Sequence, residues 1–212
     1  GAAYKEFRAI KRKMEEREGC RFRILDPAGA GERLEDLRRV SDDWLAEKNT
    51  REKGFSLGFF QDGYVTRGPV GIVEKDGRIV AFANLWTSGG KEELSPDLMR
   101  FAHDAPRDVM SYLFEETMSW GKAQGFRRFS LGMAPLSGLE GESGRIWPRA
   151  GSFLFRHGEH FYNFQGLRHY KEKYHPEWEP RYLVTTGALV LPRVMADLAA
   201  LVSGGIVGVF RK

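Results

Sequence analysis

Hydrophobic and polar positions recur with two different periods along the chain, and these periods predict its helices and strands. Helical spacing of apolar residues predicts helices at residues 2–18, 32–48, 104–124, within 142–155, 167–174 and from 192 onward. Short apolar or alternating runs predict strands at residues 21–25, 55–60, 70–74, 78–85, 128–131 and 182–186. The order of these elements indicates an α/β (α+β) domain built around a mixed central sheet.

The turn between two of these strands is the clearest local signal. Asp76-Gly77 separates two apolar runs, so residues 70–74 and 78–85 should form a hairpin. The second run is apolar almost throughout, which is typical of a strand that is covered on both faces. We interpret the stretch that follows, residues 86–105, as a loop long enough to be functional.

Composition narrows the class of protein. The 212 residues are 42% hydrophobic and 29% charged, as in an ordinary globular chain. No run of 18 apolar residues occurs and the N-terminus is a charged helical stretch, so we expect neither a membrane span nor a signal peptide. The only cysteine, Cys20, has no Cys or His at zinc spacing, which favours a reducing compartment and no metal.

Several common catalytic motifs do not occur in the sequence. It has no P-loop, no Gly-x-Gly-x-x-Gly after a strand, no His-Glu-x-x-His and no Gly-x-Ser-x-Gly elbow. Nucleotide hydrolysis, Rossmann-type redox chemistry and zincin or α/β-hydrolase activity are therefore disfavoured.

Asp97 and Arg100 are the first candidate functional pair, within the predicted loop. Residues three apart on a helical turn face the same way, so the two side chains could together orient an amino group and a carboxylate, ester or phosphate. The alternative is a surface ion pair, which would contribute less than about 1 kcal/mol.

The second candidate is an aromatic and basic segment, residues 161–182. Aromatic rings such as Tyr162 are interleaved there with Arg168, Lys171 and Lys173, a pattern that suits stacking on bases, neutralising phosphates or gripping a phospholipid headgroup. The net charge of +4 favours binding of a polyanionic partner only if the positive residues are clustered, as they are in this segment. The alternative is that the rings belong to the core and the cations to a solvated helix face.

The third candidate is a small-residue loop, residues 131–142, directly after a predicted strand. Ligands of α/β sheets bind at the carboxyl ends of strands, so Met133 is a candidate substrate contact, although a plain turn fits nearly as well. Glu159 is a further candidate contact. Ser137 has no partner base at a recognisable spacing. The possible general acids or bases, which sequence does not rank, are His103, Glu140, Glu142, His157, Glu159 and His160.

Five strings carry a family resemblance in this order: KGFSLG (53–58), AFAN (81–84), DLMR (97–100), LGMAPL (131–136) and FYNFQGLR (161–168). Together they resemble the cytosolic catalytic domain of the aminoacyl-phosphatidylglycerol synthases, a family that includes the bacterial multiple peptide resistance factors. The resemblance extends from about residue 21 to residue 193.

The resemblance implies a fold like that of the Gcn5-related acyltransferases, present as two tandem copies after a membrane-embedded region. Residues 1–20 would then be an N-terminal linker helix and residues 21–212 the C-terminal catalytic copy. Such a soluble fragment of a membrane protein would act at the cytoplasmic face of the bacterial inner membrane. Residues 2–18 would lack their docking partner, and residues 194–210 would lie on the bilayer or pack as a terminal helix.

The activity that the resemblance implies is transfer of lysine or alanine from aminoacyl-tRNA to a hydroxyl of the phosphatidylglycerol headgroup. This lowers the negative charge of the membrane, gives resistance to cationic peptides and needs no metal or cofactor. The expected partners are aminoacyl-tRNA, phosphatidylglycerol, the upstream copy with its membrane region, and an anionic membrane surface.

The resemblance also implies roles for individual residues. Asp97 and Arg100 match the family's acidic and basic pair at the aminoacyl end, with Asp97 holding the substrate ammonium. Arg168, Lys171 and Lys173 match the basic segment that meets tRNA or lipid phosphate. Arg100 or Arg168 would stabilise the oxyanion of the tetrahedral intermediate.

Two other functions compete with this one. An acetyl-coenzyme A-dependent acyltransferase of the same fold would need an Arg/Gln-x-x-Gly-x-Gly/Ala loop after the central strand, and residues 86–93 lack that pattern. A non-catalytic module could instead use the basic aromatic segment only to bind tRNA or anionic lipid.

Overall fold

The computed structural model of the chain describes residues 2–47, 58–135 and 164–202. It divides into two compact units, Gly1–Ser130 with Ala196–Lys212 and Leu131–Met195. The strands are β1 (Arg21–Leu25), β2 (Val70–Lys75), β3 (Arg78–Thr87), β4 (Glu93–Phe101) and β5 (Arg128–Phe129). The helices are α1 (Ala2–Arg12), α2 (Pro27–Glu32), α3 (Leu34–Glu47), α4 (Asp62–Val65), α5 (Val109–Ala123), α6 (Phe164–Glu172) and α7 (Leu191–Val202).

The five strands form one sheet in the order β1-β2-β3-β4-β5. The pairs β1–β2, β2–β3 and β3–β4 are antiparallel, whereas the pair β4–β5 is parallel. A mixed sheet flanked by helices confirms the α/β (α+β) class that the order of elements in the sequence predicts.

The predicted hairpin is confirmed at the turn between β2 and β3. Asp76 and Gly77 both have positive φ, at 50° and 76°. A two-residue turn needs this left-handed backbone to match the twist of its strands, and an Asp-Gly pair adopts it at low cost.

The centre of the sheet is buried on both faces, as the continuous apolar run in β3 predicts. One face packs against α5 through a cluster that includes Ala81, Ala83, Leu85, Leu94, Tyr112 and Leu113. The other face packs beneath α3 through a cluster that includes Leu37, Val40, Ile72, Phe82 and Leu98. We call these the α5 face and the α3 face.

The N-terminal helix and the turn that follows it pack within the chain. A π-helical turn, Lys13–Arg17, follows α1 and buries Met14 completely in the α5-face cluster. Lys13 Nζ lies 2.6 Å from Asp108 Oδ2, and the Tyr112 hydroxyl donates to Glu15 Oε1 at 3.0 Å. Burial, followed by this hydrogen bond to a carboxylate, raises the pKa of Tyr112.

Several other predicted elements differ from the structure. The predicted loop at residues 86–105 instead contains the end of β3 and all of β4, because charged residues and Pro96 interrupt the apolar pattern of that strand. The helix predicted at 32–48 is confirmed as α3, while the short helix α2 that precedes it was not predicted. Residues 58–60 and 182–186 form no strand, while residues 55–57 and the helices predicted within 142–155 lie outside the described residues.

Gly121 on α5 provides a test of how tightly the α5 face is packed. A Cβ atom at this position would approach Leu94 Cδ2 to 2.5 Å, and Leu94 is fully buried. We expect Gly121→Ala to lower the free energy of unfolding by about 1–3 kcal/mol through overpacking, despite the better helix propensity of alanine. Urea unfolding measures this change. Gly31→Ala in α2 is the matched control, because its Cβ meets open space and its unfolding free energy should not fall.

Candidate functional site

A β-bulge in β4 gives the candidate site its geometry. Ala83 of β3 lies opposite Met99, and Leu85 lies opposite Pro96, so Asp97 and Leu98 together face the single residue Asn84. The extra residue would leave a backbone amide of β4 without a ladder partner. The buried Asn84 side chain satisfies it, because its Oδ1 accepts the Leu98 amide at 2.8 Å.

The bulge brings Asp97 and Arg100 to the same face of the sheet, although residues three apart on a regular strand face opposite sides. Arg100 lies opposite Phe82 in the ladder, and opposite residues share a face. Asp97 accepts a hydrogen bond from Tyr64, which packs against the same α3-face cluster as Phe82. The predicted helical turn is therefore wrong, while the predicted common orientation of the pair is confirmed for a different reason.

Asp97 is held by a tyrosine and closed in by a glycine. The Tyr64 hydroxyl donates directly to Asp97 Oδ2. Burial, and then this hydrogen bond to a carboxylate, raises the pKa of Tyr64, so Tyr64 stays a neutral donor at physiological pH. A Cβ at Gly58 would overlap the Asp97 carboxylate and lie 2.8 Å from the Tyr64 hydroxyl, so only glycine fits there without displacing one of them.

Aromatic rings surround the Asp97–Tyr64 pair. Phe59 stacks nearly parallel to Tyr64 with the ring centroids 6.5 Å apart, and Trp86 meets Tyr64 edge-on at 5.6 Å. Both Phe59 and Trp86 are partly exposed to solvent. A carboxylate next to aromatic rings attracts an organic ammonium group, because the carboxylate supplies charge and the ring faces supply cation–π contacts.

Arg100 is fixed by a stacking contact on the α3 side of the sheet. Its guanidinium carbon lies 4.1 Å from the centroid of the Trp44 ring, which projects from α3. This contact holds the guanidinium against the ring, and the Arg100 Nη1 also donates to the Met99 carbonyl at 3.4 Å. Trp44 therefore acts as a platform that orients Arg100.

Strand β4 extends beyond the end of its parallel neighbour β5 at the position of Asp97 and Arg100. β5 pairs with β4 only at Glu93 and Leu94, and the last bond runs from the Ser130 amide to the Leu94 carbonyl at 2.8 Å. Pro96, two residues further along β4, has no amide to continue this ladder. Asp97 and Arg100 thus lie on the part of β4 that extends beyond β5, where ligands of such sheets commonly bind.

The second unit contains the aromatic and basic segment. Arg168 Nε donates to Glu172 Oε1 at 2.8 Å, and the guanidinium lies 5.5 Å from the Trp178 centroid. Lys173 Nζ lies 4.0 Å from the Tyr170 centroid, over the ring. Cations and rings of this segment are therefore in direct contact with each other.

Lys171, between these two residues, is buried. Only 6% of it is exposed, and its Nζ donates to the Met133 carbonyl at 2.8 Å. Burial lowers the pKa of this ammonium. The Met133 side chain, by contrast, is exposed. Lys171 thus fixes the backbone of the turn at Gly132, whose φ is +72°, rather than projecting from the helix surface.

The remaining predicted residues contribute less to this picture. His103 lies in the unit that contains Gly1–Ser130, where its Nδ1 is 3.6 Å from Asp43 Oδ2 and most of its side chain is exposed. The other candidates, Glu140, Glu142, His157, Glu159, His160 and Tyr162, lie outside the described residues. In the described ranges no three His, Cys, Asp or Glu side chains are grouped so that they could hold a metal ion. The helices described there include none that is long and apolar enough to cross a bilayer.

Comparison with known proteins identifies the family. The profile described as "Phosphatidylglycerol lysyltransferase, C-terminal" matches residues 1–185. The phosphatidylglycerol lysyltransferase of Bacillus subtilis is 40% identical over 178 residues, which are 83% of this chain. That of Staphylococcus haemolyticus is 37% identical over 187 residues, or 87% of the chain. The chain belongs to the phosphatidylglycerol lysyltransferase C-terminal family.

Solved structures of this family agree with the fold. A structure described as the C-terminal domain of a lysylphosphatidylglycerol synthetase from Agrobacterium fabrum is 42% identical, covers 97% of this chain and has a TM-score of 0.83. L-PGS from Bacillus licheniformis is 39% identical, covers 95% and has a TM-score of 0.77. The chain spans 61% and 60% of those two structures. It spans about a fifth of the B. subtilis and S. haemolyticus relatives, at 20% and 22% of their lengths.

The sequence did not predict six residues of this candidate site: Trp44, Gly58, Phe59, Tyr64, Asn84 and Trp86. Trp44 and Tyr64 come from separate helices and Trp86 from the end of β3, so no local spacing connects them with Asp97 or Arg100. Gly58 and Asn84 were at least contained in two of the strings that carry the family resemblance, KGFSLG and AFAN. Neither string indicated that Gly58 closes on Asp97 or that Asn84 accepts the Leu98 amide.

Proposed function

We propose that this chain is the C-terminal part of the catalytic region of a longer phosphatidylglycerol lysyltransferase. In this proposal it moves a lysyl group from lysyl-tRNA to a hydroxyl of the phosphatidylglycerol headgroup, at the cytoplasmic face of a bacterial inner membrane. Membership of the family and the names of relatives at 37–40% identity support the reaction and favour lysine over alanine. An upstream copy of the fold and a membrane region would complete the protein.

The observation that carries the proposal is the environment of Asp97. Its carboxylate is oriented by Tyr64, enclosed by the backbone of Gly58 and edged by the rings of Phe59 and Trp86. These are the groups that recognise an organic ammonium. A lysyl ester has two ammonium groups, and we assign Asp97 to one of them.

The reaction itself is an ester exchange. The hydroxyl oxygen of the headgroup forms a bond to the carbonyl carbon of lysyl-tRNA, and the tetrahedral intermediate collapses by breaking the bond to the ribose oxygen. The proton of the attacking hydroxyl leaves with that ribose oxygen. One ester replaces another, so most of the rate must come from positioning two substrates and from stabilising the oxyanion.

Arg100 has the properties that this oxyanion requires. It shares a face with Asp97, and its guanidinium plane is held by Trp44. A permanently charged, pre-oriented donor stabilises developing negative charge without rearranging during the reaction. We therefore assign the oxyanion to Arg100, with Asp97 anchoring the amino acid at the neighbouring position.

The second unit supplies cations for phosphate groups in this proposal. We assign Arg168 and Lys173, both supported on aromatic rings, to the phosphates of tRNA or of the lipid headgroup. Lys171 would act from beneath, by fixing the turn that exposes Met133 towards the substrate. Glu159 and Tyr162 remain predicted substrate contacts.

The acetyl-coenzyme A alternative is disfavoured by the loop before α5. A pyrophosphate loop of this kind lies between a central strand and the helix that follows it. Because β3 is followed by strand β4 and only β4 is followed by a helix, α5, that loop is residues 102–108 and not residues 86–93. This loop contains no glycine. Backbone amides can approach a pyrophosphate closely only where side chains are absent, so the chain lacks the means to bind this cofactor in the usual way.

The direct test is a transfer assay. The chain is incubated with phosphatidylglycerol vesicles and tRNA charged with labelled lysine, and label in the extracted lipid is measured. Parallel reactions contain alanyl-tRNA or acetyl-coenzyme A. We expect lysine-dependent label alone, either with this chain or with this chain replacing the matching segment of the B. subtilis enzyme. A correctly folded chimera without activity would contradict the proposal.

A further inference from the structure

The second unit exposes a run of apolar side chains that the proposed chemistry does not use. Tyr182, Val184 and Leu189 are exposed by 83%, 87% and 92%, and Leu183 and Val190 are also exposed. Single exposed apolar residues are common on protein surfaces, but such residues close together over nine positions usually mark a binding surface. We call residues 182–190 the apolar strip.

The charges along this part of the chain favour an anionic partner. The sequence has no Asp or Glu between Glu179 and Asp197, and it has two arginines there, Arg181 and Arg193. Arg181 is largely exposed, and its pair with Glu179, at 3.2 Å, lies on the surface. Surface pairs of this kind are weak, so a phosphate can take the place of the carboxylate.

The backbone of the strip indicates how deeply it could enter such a partner. Residues 181–187 form neither helix nor strand, and only Ala188–Val190 form a short 3₁₀ turn before α7. Irregular backbone is too polar for the hydrocarbon centre of a bilayer but is tolerated at the headgroup level. Tyrosine is also enriched at that level, because its ring is apolar and its hydroxyl remains hydrated.

We propose that the apolar strip is a bilayer-docking surface, which inserts shallowly into an anionic membrane and delivers the catalytic unit to its lipid substrate. This inference rests on the proposed function, since a lysyltransferase that modifies phosphatidylglycerol must reach a headgroup within a bilayer. Apolar side chains supply the insertion, and the carboxylate-free flanks with their arginines avoid repulsion by the anionic lipids.

Vesicle flotation without tRNA tests the docking directly. The probes are vesicles of equal phosphatidylglycerol and phosphatidylcholine, and vesicles of phosphatidylcholine alone. We expect the chain to float with the anionic vesicles and Val184→Ser/Leu189→Ser to bind them about 10-fold more weakly, since two apolar side chains are lost. Thermal unfolding of the variant, expected to match the parent, excludes misfolding as the cause.

Two further variants and a sizing measurement make the test specific. Val184→Glu/Leu189→Glu and Lys122→Glu both change the net charge by −2, but only the first places it on the strip, and Lys122 is an exposed residue of α5. We expect the first to abolish flotation and the second to weaken it far less. Equal binding by the parent and the serine variant overturns the proposal. A dimer that the serine variant converts to a monomer would assign the strip to a second copy instead.

A transfer assay separates failure of this inference from failure of the proposed function. The serine variant should lose about 10-fold in transfer to phosphatidylglycerol in vesicles and keep its rate with a dispersed short-chain phosphatidylglycerol, because only the first requires docking. Loss with both lipids overturns the docking role. No transfer by the parent with either lipid overturns the proposed function, while flotation still reports on the strip.

Discussion

Asp97→Asn is expected to reduce lysyl transfer by about 100-fold, which corresponds to the loss of one partly buried charge pair with the substrate ammonium. Asparagine has the same shape and can still accept the Tyr64 hydrogen bond, so the site should keep its geometry. The effect therefore isolates the negative charge. Steady-state kinetics with lysyl-tRNA and phosphatidylglycerol vesicles measure it, and we expect most of the change in KM for lysyl-tRNA.

The matched control is Tyr64→Phe. It keeps the ring that contacts Phe59 and Trp86 but removes the hydroxyl that orients Asp97. We expect a loss of about 10-fold, the size of one hydrogen bond to a charged group. If Asp97→Asn retains full activity, the carboxylate does not hold the ammonium. If both variants lose activity equally, Tyr64 contacts the substrate itself.

The fold was largely predictable where local chemistry and burial agree. The Asp76-Gly77 turn and the apolar run of β3 each predict what the structure shows, because a two-residue turn and a doubly buried strand leave few alternatives. Strand β4 was missed because only Leu94 and Leu98 are buried along it. The other positions of this strand are exposed or only partly buried, so the alternation by which strands are recognised is missing.

The site was only half predictable for a related reason. Asp97 and Arg100 were chosen for their types and spacing, yet their common face depends on a bulge that one side chain, Asn84, stabilises from the neighbouring strand. Tyr64 lies 33 positions before Asp97 and reaches it only because α4 packs on the α3 face. Contacts of that kind follow from the tertiary structure and not from any local period.

In the basic segment the residues were predicted from the sequence, but their different environments were not. Arg168, Lys171 and Lys173 are indistinguishable as cations in sequence, but the structure gives them different environments. Arg168 and Lys173 are supported by aromatic rings, whereas Lys171 is buried and donates to a backbone carbonyl. Composition can identify a cationic segment, but burial decides which of its charges can meet a phosphate.

Arg100→Lys tests whether the guanidinium plane, and not merely a positive charge, is required. Lysine keeps the charge but has no planar fork to stack on Trp44 and present parallel donors to an oxyanion. We expect kcat to fall by about 100-fold with a small change in KM, as for removal of an oxyanion donor. Arg78→Lys is the matched control, because Arg78 is exposed and pairs only loosely with Asp104 at 3.8 Å.

Trp44→Leu completes this test of the stacked arginine. The substitution keeps Arg100 and removes the ring on which its guanidinium lies. It therefore tests whether the orientation of the guanidinium matters when the group itself is still there. We expect kcat to fall about 10-fold, with Trp44→Phe restoring most of it, because a cation–π contact of this kind is worth about 1–2 kcal/mol. Full activity in Arg100→Lys would show that a positive charge at this position suffices and that the stacked guanidinium plane is not required.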